Sequence, residues 1–183
     1  MTSYKKIKLT ALTKILDDYN HYDKSDSTQI KSKKWDLIID PSTRASVFLQ
    51  YRNGVFIDVL NKAALSKERL TDALLGAVNY GKEIIFNLEN NVAFYDFVKD
   101  SFENLEKGLF EKVMSKDFDI EKLSYTLQKI KDPTLDIEDR QVQLKLHQDI
   151  KTYEGFKVIF VIKSQDNLES ILGHLEPVLV TLD

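Results

Sequence analysis

Five short apolar runs constrain the fold of this chain more than any other feature: Leu37–Ile39, Val55–Leu60, Glu83–Leu88, Phe156–Ile162 and Pro177–Leu182. The run Phe156-Lys157-Val158-Ile159-Phe160-Val161-Ile162 lacks polar alternation, which suits a strand buried on both faces. Segments of helical period separate the runs, so the strands should lie parallel with right-handed crossovers. The expected fold is a three-layer α/β/α domain around a five-stranded parallel sheet.

The helical segments carry their own start and stop signals. Thr43 to Gln50 shows a helical pattern through Ala45, Val47, Phe48 and Tyr51, stopped by Asn53-Gly54. Ser66 is a plausible N-cap, with Glu68 in the first turn where the helix dipole favours an acid. Leu70, Ala73, Leu74, Ala77 and Val78 then share one face, and Gly81 suits the C′ position. Phe94, Phe97, Val98, Phe102, Leu105, Leu109 and Val113 form the strongest stripe, best explained by core packing, with some of that bulk available to a partner. Ile120, Leu123, Leu127 and Ile130 continue the pattern up to Asp132-Pro133. Leu135 to Leu146 switches to period two and predicts a polar β-hairpin turning at Asp139-Arg140. Asp166 to Leu175 predicts a short helix. At the N-terminus, Leu9, Leu12, Leu16 and Tyr19 predict a short amphipathic helix, and Asp17 to Lys34 a polar arm. The division is 1–34 for helix and arm and 35–183 for the core domain.

The run Lys34-Trp35-Asp36-Leu37-Ile38-Ile39-Asp40-Pro41, leading straight into a helix, is how a nucleotide-binding α/β domain begins. Such a domain continues with a glycine-rich loop ending in Gly-Lys-Ser/Thr, whose N–H groups cradle phosphates. Here Ser42-Thr43-Arg44-Ala45-Ser46-Val47 follows, with no glycine, no lysine at the phosphate position, and valine where a magnesium-binding hydroxyl should be. Gly81-Lys82 precedes a strand instead of opening a helix, so its N–H groups point the wrong way for phosphate.

Composition excludes several classes. A chain of 183 residues with 43% hydrophobic and 30% charged residues suits one folded domain. A net charge of −3 offers nothing to nucleic acid. The absence of cysteine removes disulfides, zinc-thiolate sites and thiol nucleophiles, and fits a reducing compartment. No apolar run approaches the roughly 20 residues of a membrane span, and Met1 to Lys8 is unlike a secretory signal.

Several runs together resemble a known family. Trp35-Asp36-Leu37-Ile38-Ile39-Asp40-Pro41 resembles the Trp-Pro-Leu-x-Ile-Asp-Pro that opens the fifth AAA+ module of the dynein heavy-chain motor. In order along the chain, Ala73 to Lys82 is similar to that module's helix ending in Phe/Asn-Gly, and Ile84 to Asn90 to its Val-Leu-Leu-Glu-Asn strand. Ile137 to Leu144 is similar to its Ile-Gly-Asp-Lys-Glu-Val-Glu-Tyr hairpin, and Phe156 to Lys163 to its Phe-Arg-Leu-x-x-x-Thr-Lys strand. The likeness covers roughly residues 30–183, although each motif is individually weak. Ser164-Gln165-Asp166-Asn167 departs from the family's Asn-Pro-His-Tyr, and Leu109–Thr134 is longer than its counterpart. The chain stops at its fifth strand, without a counterpart of the helical lid, so a free-standing protein is expected. The resemblance implies a P-loop, AAA+-like core with strand order 5-1-4-3-2, numbering the five strands along the chain, and a module that is itself non-catalytic.

Catalytic chemistry finds no support in the residues. At the Walker B position Asn87-Leu88 is followed by Glu89, and an amide cannot replace a metal-binding carboxylate. The sensor position falls near Lys163-Ser164. His21, His147 and His174 lack metal-ligand spacing, and Asp23 and Asp26 lack the pattern of a calcium loop. Asp17-Asp18 and Lys33-Lys34 read as surface charge. No serine has a base and orienter nearby. The expectation is no enzyme, with no catalytic, cofactor-binding or metal residues and no cofactor. The role expected is a structural or docking subunit of a microtubule-based assembly, the ciliary axoneme, in the cytoplasm and cytoskeleton. It would bind proteins of that complex in a hetero-oligomer, without nucleic acid or membrane. The contacts expected are the N-terminal arm, the hairpin and the face beside the fifth strand, with residues 1–30 removable without unfolding the core. The alternative is a divergent nucleotide-binding enzyme, kinase-like or an NTPase; a small-GTPase-like regulator suffers from the same missing loop.

Overall fold

The computed structural model describes residues 4–17, 34–116, 118–149 and 155–182. In chain order they form β1 (Lys5–Lys8), α1 (Leu12–Leu16), β2 (Trp35–Ile39), α2 (Arg44–Gln50), β3 (Val55–Asp58), α3 (Lys67–Asn79) and β4 (Glu83–Asn87). These are followed by α4 (Ala93–Leu105), α5 (Leu109–Met114), α6 (Ile120–Lys131), α7 (Arg140–Asp149), β5 (Lys157–Ile162) and β6 (Leu175–Thr181). One sheet runs in the order β1-β6-β2-β5-β4-β3, and every pairing in it is parallel.

The α/β class and parallel sheet agree with the apolar runs, but the sheet has six strands where five were expected. The added strand is β1, so the full order differs from the expected one at that edge. The other five keep the relative order 5-1-4-3-2. Three of the four β1 residues are lysine and only Ile7 is apolar, so no buried-strand signal announces it. Lysine suits a sheet edge, where its charge and long stem discourage further pairing. β1 also covers the side of β6, the last strand, that was expected to stand open for docking.

The parallel strands alternate between two cores. Leu37, Ile39, Val158, Phe160 and Ile162 face the larger one, under α3 to α6, while Ile38, Ile159, Val161 and Val178 face the smaller one, under α1 and α2. Aromatic rings fill the larger core: Phe86 stacks on Phe160 with centroids 5.3 Å apart, and Phe102 meets Phe110 edge-on at 5.6 Å. Leu12 and Leu16 of α1 are fully buried in the smaller core, so α1 packs as part of the core and not as an arm apart from it.

The end of α3 follows the glycine argument. Gly81 has φ of +56°, Lys82 N–H bonds the Ala77 carbonyl at 2.8 Å, and Gly81 N–H bonds that of Val78 at 3.4 Å. Ser66 holds the N-cap position, although its hydroxyl makes no capping bond. The long apolar stripe is two helices, because Gly108 at φ +80° breaks it between α4 and α5. The short helix expected over 166–175 reduces to a turn at Leu168–Ser170, and β6 begins at Leu175.

The expected hairpin at Asp139-Arg140 is the start of helix α7. Asp139 Oδ1 accepts from Gln141 N–H at 2.7 Å and from Val142 N–H at 3.2 Å, which is a helix cap and not a turn between strands. Val142 and Leu146, one helical turn apart, are half-buried and buried, whereas Leu144 is 49% exposed. The period of four therefore governs this segment, not the period of two.

Candidate functional site

Parallel strands all end on one rim, and ligands of open α/β sheets sit at that rim, outside the strands' carboxyl ends. β4 ends there at Asn87, and Asp40 and Lys163 follow directly on β2 and β5. Asp40 N–H continues the ladder by bonding the Ile162 carbonyl at 2.8 Å, which turns the fully buried Asp40 side chain into the β2–α2 connection. Only residues 40–43 separate strand from helix. Thr43 adopts φ +62° to make this tight turn.

The Asp40 carboxylate is enclosed. Oδ1 accepts from the Ser42 hydroxyl at 2.9 Å, and Oδ2 accepts from Ser46 N–H at 2.8 Å. The Ser46 hydroxyl lies 3.0 Å from Oδ2 and 2.9 Å from the Thr43 carbonyl, so one proton serves two acceptors. A backbone N–H in the first turn of α2, the kind of donor that would hold a phosphate oxygen, is thus taken by the chain's own carboxylate.

A second closed cluster lies beyond β4 and β5. Asn87 Nδ2 donates to Glu89 Oε1 at 2.6 Å, and Lys163 Nζ pairs with Glu89 Oε2. Lys163 N–H also bonds the Glu89 carbonyl at 2.6 Å, with Glu89 held at φ +54°. The hydrogen bond from Lys163 is the main cause holding the Glu89 carboxyl below its ordinary range; burial opposes it and Asn87 assists. Both carboxylate oxygens are occupied. Ser164 and Asp166 bond one another at 3.1 Å, and Asp58 Oδ1 accepts Leu60 N–H at 3.0 Å. Among the described residues no group of three or more histidines or carboxylates could hold a metal ion.

The other singled-out residues do not join this rim. His21, Asp18, Asp23, Asp26 and Lys33 lie outside the described residues, as does the side chain of His147. His174 precedes β6, with Nδ1 3.4 Å from the Tyr95 hydroxyl and Nε2 3.2 Å from Glu111 Oε1, tying together α4, α5 and the β6 approach. Gly81-Lys82 sits at the opposite rim. Asp17 pairs there with Arg52 at 2.8 Å, and Arg52 also forks onto both oxygens of Glu83 at 2.9 Å.

That opposite rim holds a buried charge that sequence reasoning passed over. Lys157 is 1% exposed and donates to the Leu16 carbonyl at 2.5 Å, fastening α1 to the sheet. Burial raises the neighbouring Asp36 carboxyl, against the pull of Lys157 and Lys116. Lys116 Nζ lies 4.1 Å from the Trp35 ring centroid and donates to the Lys34 carbonyl at 2.8 Å; burial pushes it down to about 8. No helix of the described residues is long and apolar enough to cross a membrane.

The fold and rim define an all-parallel α/β domain compatible with the Rossmann and P-loop architectures. No protein-family model matches the chain, and no solved structure matches it.

Proposed function

We propose that this chain is a non-catalytic, AAA+-like structural or docking subunit of a microtubule-based assembly, the ciliary axoneme. The observation that carries the non-catalytic part is the closure of the rim. The Asp40 carboxylate holds the α2 N–H and two hydroxyls, and Lys163 with Asn87 holds both oxygens of Glu89. A phosphate would have to displace one carboxylate, and a metal ion would have to strip the other from its ammonium. The family part rests on the resemblance of the runs at Trp35–Pro41, Ile84–Asn90 and Phe156–Lys163, together with the relative order of β6, β2, β5, β4 and β3.

An inert domain of this size acts through the surfaces it offers neighbours. Since β1 occupies the side of β6 and α7 replaces the hairpin, the surfaces left for partners are the helical faces. The test is fractionation of isolated axonemes with quantitative mass spectrometry of this chain. Retention at a fixed stoichiometry through salt extraction, with a fixed position by electron microscopy, is expected. A freely diffusing cytosolic protein absent from axonemes would overturn the proposal.

A further inference from the structure

The sheet ends at β1 on one side and β3 on the other, and among the described residues no strand pairs with the outer side of either. The two edges differ in chemistry. β1 is Lys5-Lys6-Ile7-Lys8, whereas β3 is Val55-Phe56-Ile57-Asp58. Natural sheets guard open edges above all with lysine; β3 has no lysine, and its one charge is Asp58 at its end. Exposed apolar side chains also gather at its ends. Tyr51, just before β3, is 87% exposed, Leu60, just after it, 56%, and Tyr80, just before the neighbouring β4, 52%.

We propose that the outer edge of β3 pairs with the same edge of a second copy of this chain, in antiparallel register centred on Phe56. The inference rests on the sheet alone and stands apart from the functional reading above. A two-fold axis normal to the sheet keeps each face continuous, so residues placed opposite one another must point to the same side. Phe56 faces the core beneath α1 and α2, while Val55 and Ile57 face the other core. Centring on Phe56 therefore sets Phe56 against its symmetry mate, Val55 against Ile57, and Gly54 against Asp58. Every pair is apolar or uncharged on one side, the kind of cross-strand contact that stabilises a sheet. The same operation on β1 opposes Lys6 to Lys6, or Lys6 to Lys8, and like charges directly opposite destabilise. Self-complementarity about a two-fold axis closes the assembly at a dimer, with one continuous sheet and both lysine edges outermost.

The chain contains no cysteine, so an introduced thiol reports without background. Sedimentation of the full chain at roughly 100 μM, where a dimer of micromolar Kd is mostly associated, should give the dimer mass. Under mild oxidation Phe56→Cys should cross-link about tenfold faster than Val55→Cys or Lys6→Cys, because only position 56 meets itself. Phe56→Lys and Phe56→Glu, confirmed folded by circular dichroism, should each be monomeric, and their equimolar mixture should restore the dimer. A wild-type monomer at that concentration, including one that captures a different protein along β3, overturns the proposal. So does Lys6→Cys cross-linking as fast as Phe56→Cys.

Discussion

Replacing Asp40 distinguishes a carboxylate that closes the rim from one kept for a ligand. Asp40 is fully buried and accepts from Ser42 Oγ at 2.9 Å, Ser46 N at 2.8 Å and Ser46 Oγ at 3.0 Å. Hydrogen bonds to a charged group contribute about 1.5–3 kcal/mol each, and a buried donor left without its acceptor adds its own desolvation cost. The three are not additive, because the Ser46 hydroxyl keeps the Thr43 carbonyl at 2.9 Å as a second acceptor. Asp40→Ala should therefore cost about 3–5 kcal/mol, a large share of the ~5–15 kcal/mol that holds a typical domain folded. At roughly 2–4 °C per kcal/mol for a chain of this size, Tm should fall by about 10 °C. Asp40→Asn keeps one acceptor and should lose about 1–3 kcal/mol, with Ser46→Ala smaller again. Urea titration followed by circular dichroism measures all three. Residues held for a ligand are commonly strained, so replacing one often stabilises the fold. An Asp40→Ala cost under about 1 kcal/mol, or a gain, would refute the closed-rim reasoning.

Three further outcomes follow from two partly buried charges and the N-terminal elements. Glu89 titrates below its ordinary value of 4.5, so its pairing stabilises above that value and is lost as pH falls through the folded pKa; the melting difference between wild type and Glu89→Gln should shrink from neutral pH to about pH 3, and a constant difference would contradict the pairing. Lys116 is depressed from 10.5 to about 8, so between those values the unfolded chain binds more protons and stability rises with pH; a Cε resonance titrating near 8 is expected, and one titrating above 10 would contradict its burial against Trp35. Leu16→Ala should cost about 2–5 kcal/mol, since that fully buried side chain anchors α1, and a truncation of residues 1–17 that melts unchanged would show that β1 and α1 do not belong to the core.

Much of the fold was legible because a strand buried on both faces leaves a continuous apolar run. β5, with all six residues buried, is the clearest case. β1 left no such trace, since an edge strand needs few apolar residues and its lysines serve the edge. In the 135–146 segment Val142, Leu144 and Leu146 satisfy a period of two, while Val142 and Leu146 alone satisfy a period of four. Only the Asp139 cap decides between them, and a capping aspartate is also a common turn residue. At the rim, the missing glycine loop was visible in the run Ser42 to Val47, but what replaces it was not. Asp40 reaches Ser46 across a helical turn, six residues on, and Lys163 meets Glu89 across 74 residues through the pairing of β4 with β5. Contacts set by sheet register lie outside any local window of sequence.

Isothermal calorimetry of the intact chain with ATP and GTP, with and without magnesium, tests the closed rim most directly. If Asp40 and the Glu89–Lys163 pair fill the rim, no magnesium-dependent binding should appear below the high micromolar range, and phosphate release should stay at background. Tight, magnesium-dependent binding abolished by Lys163→Met would contradict it.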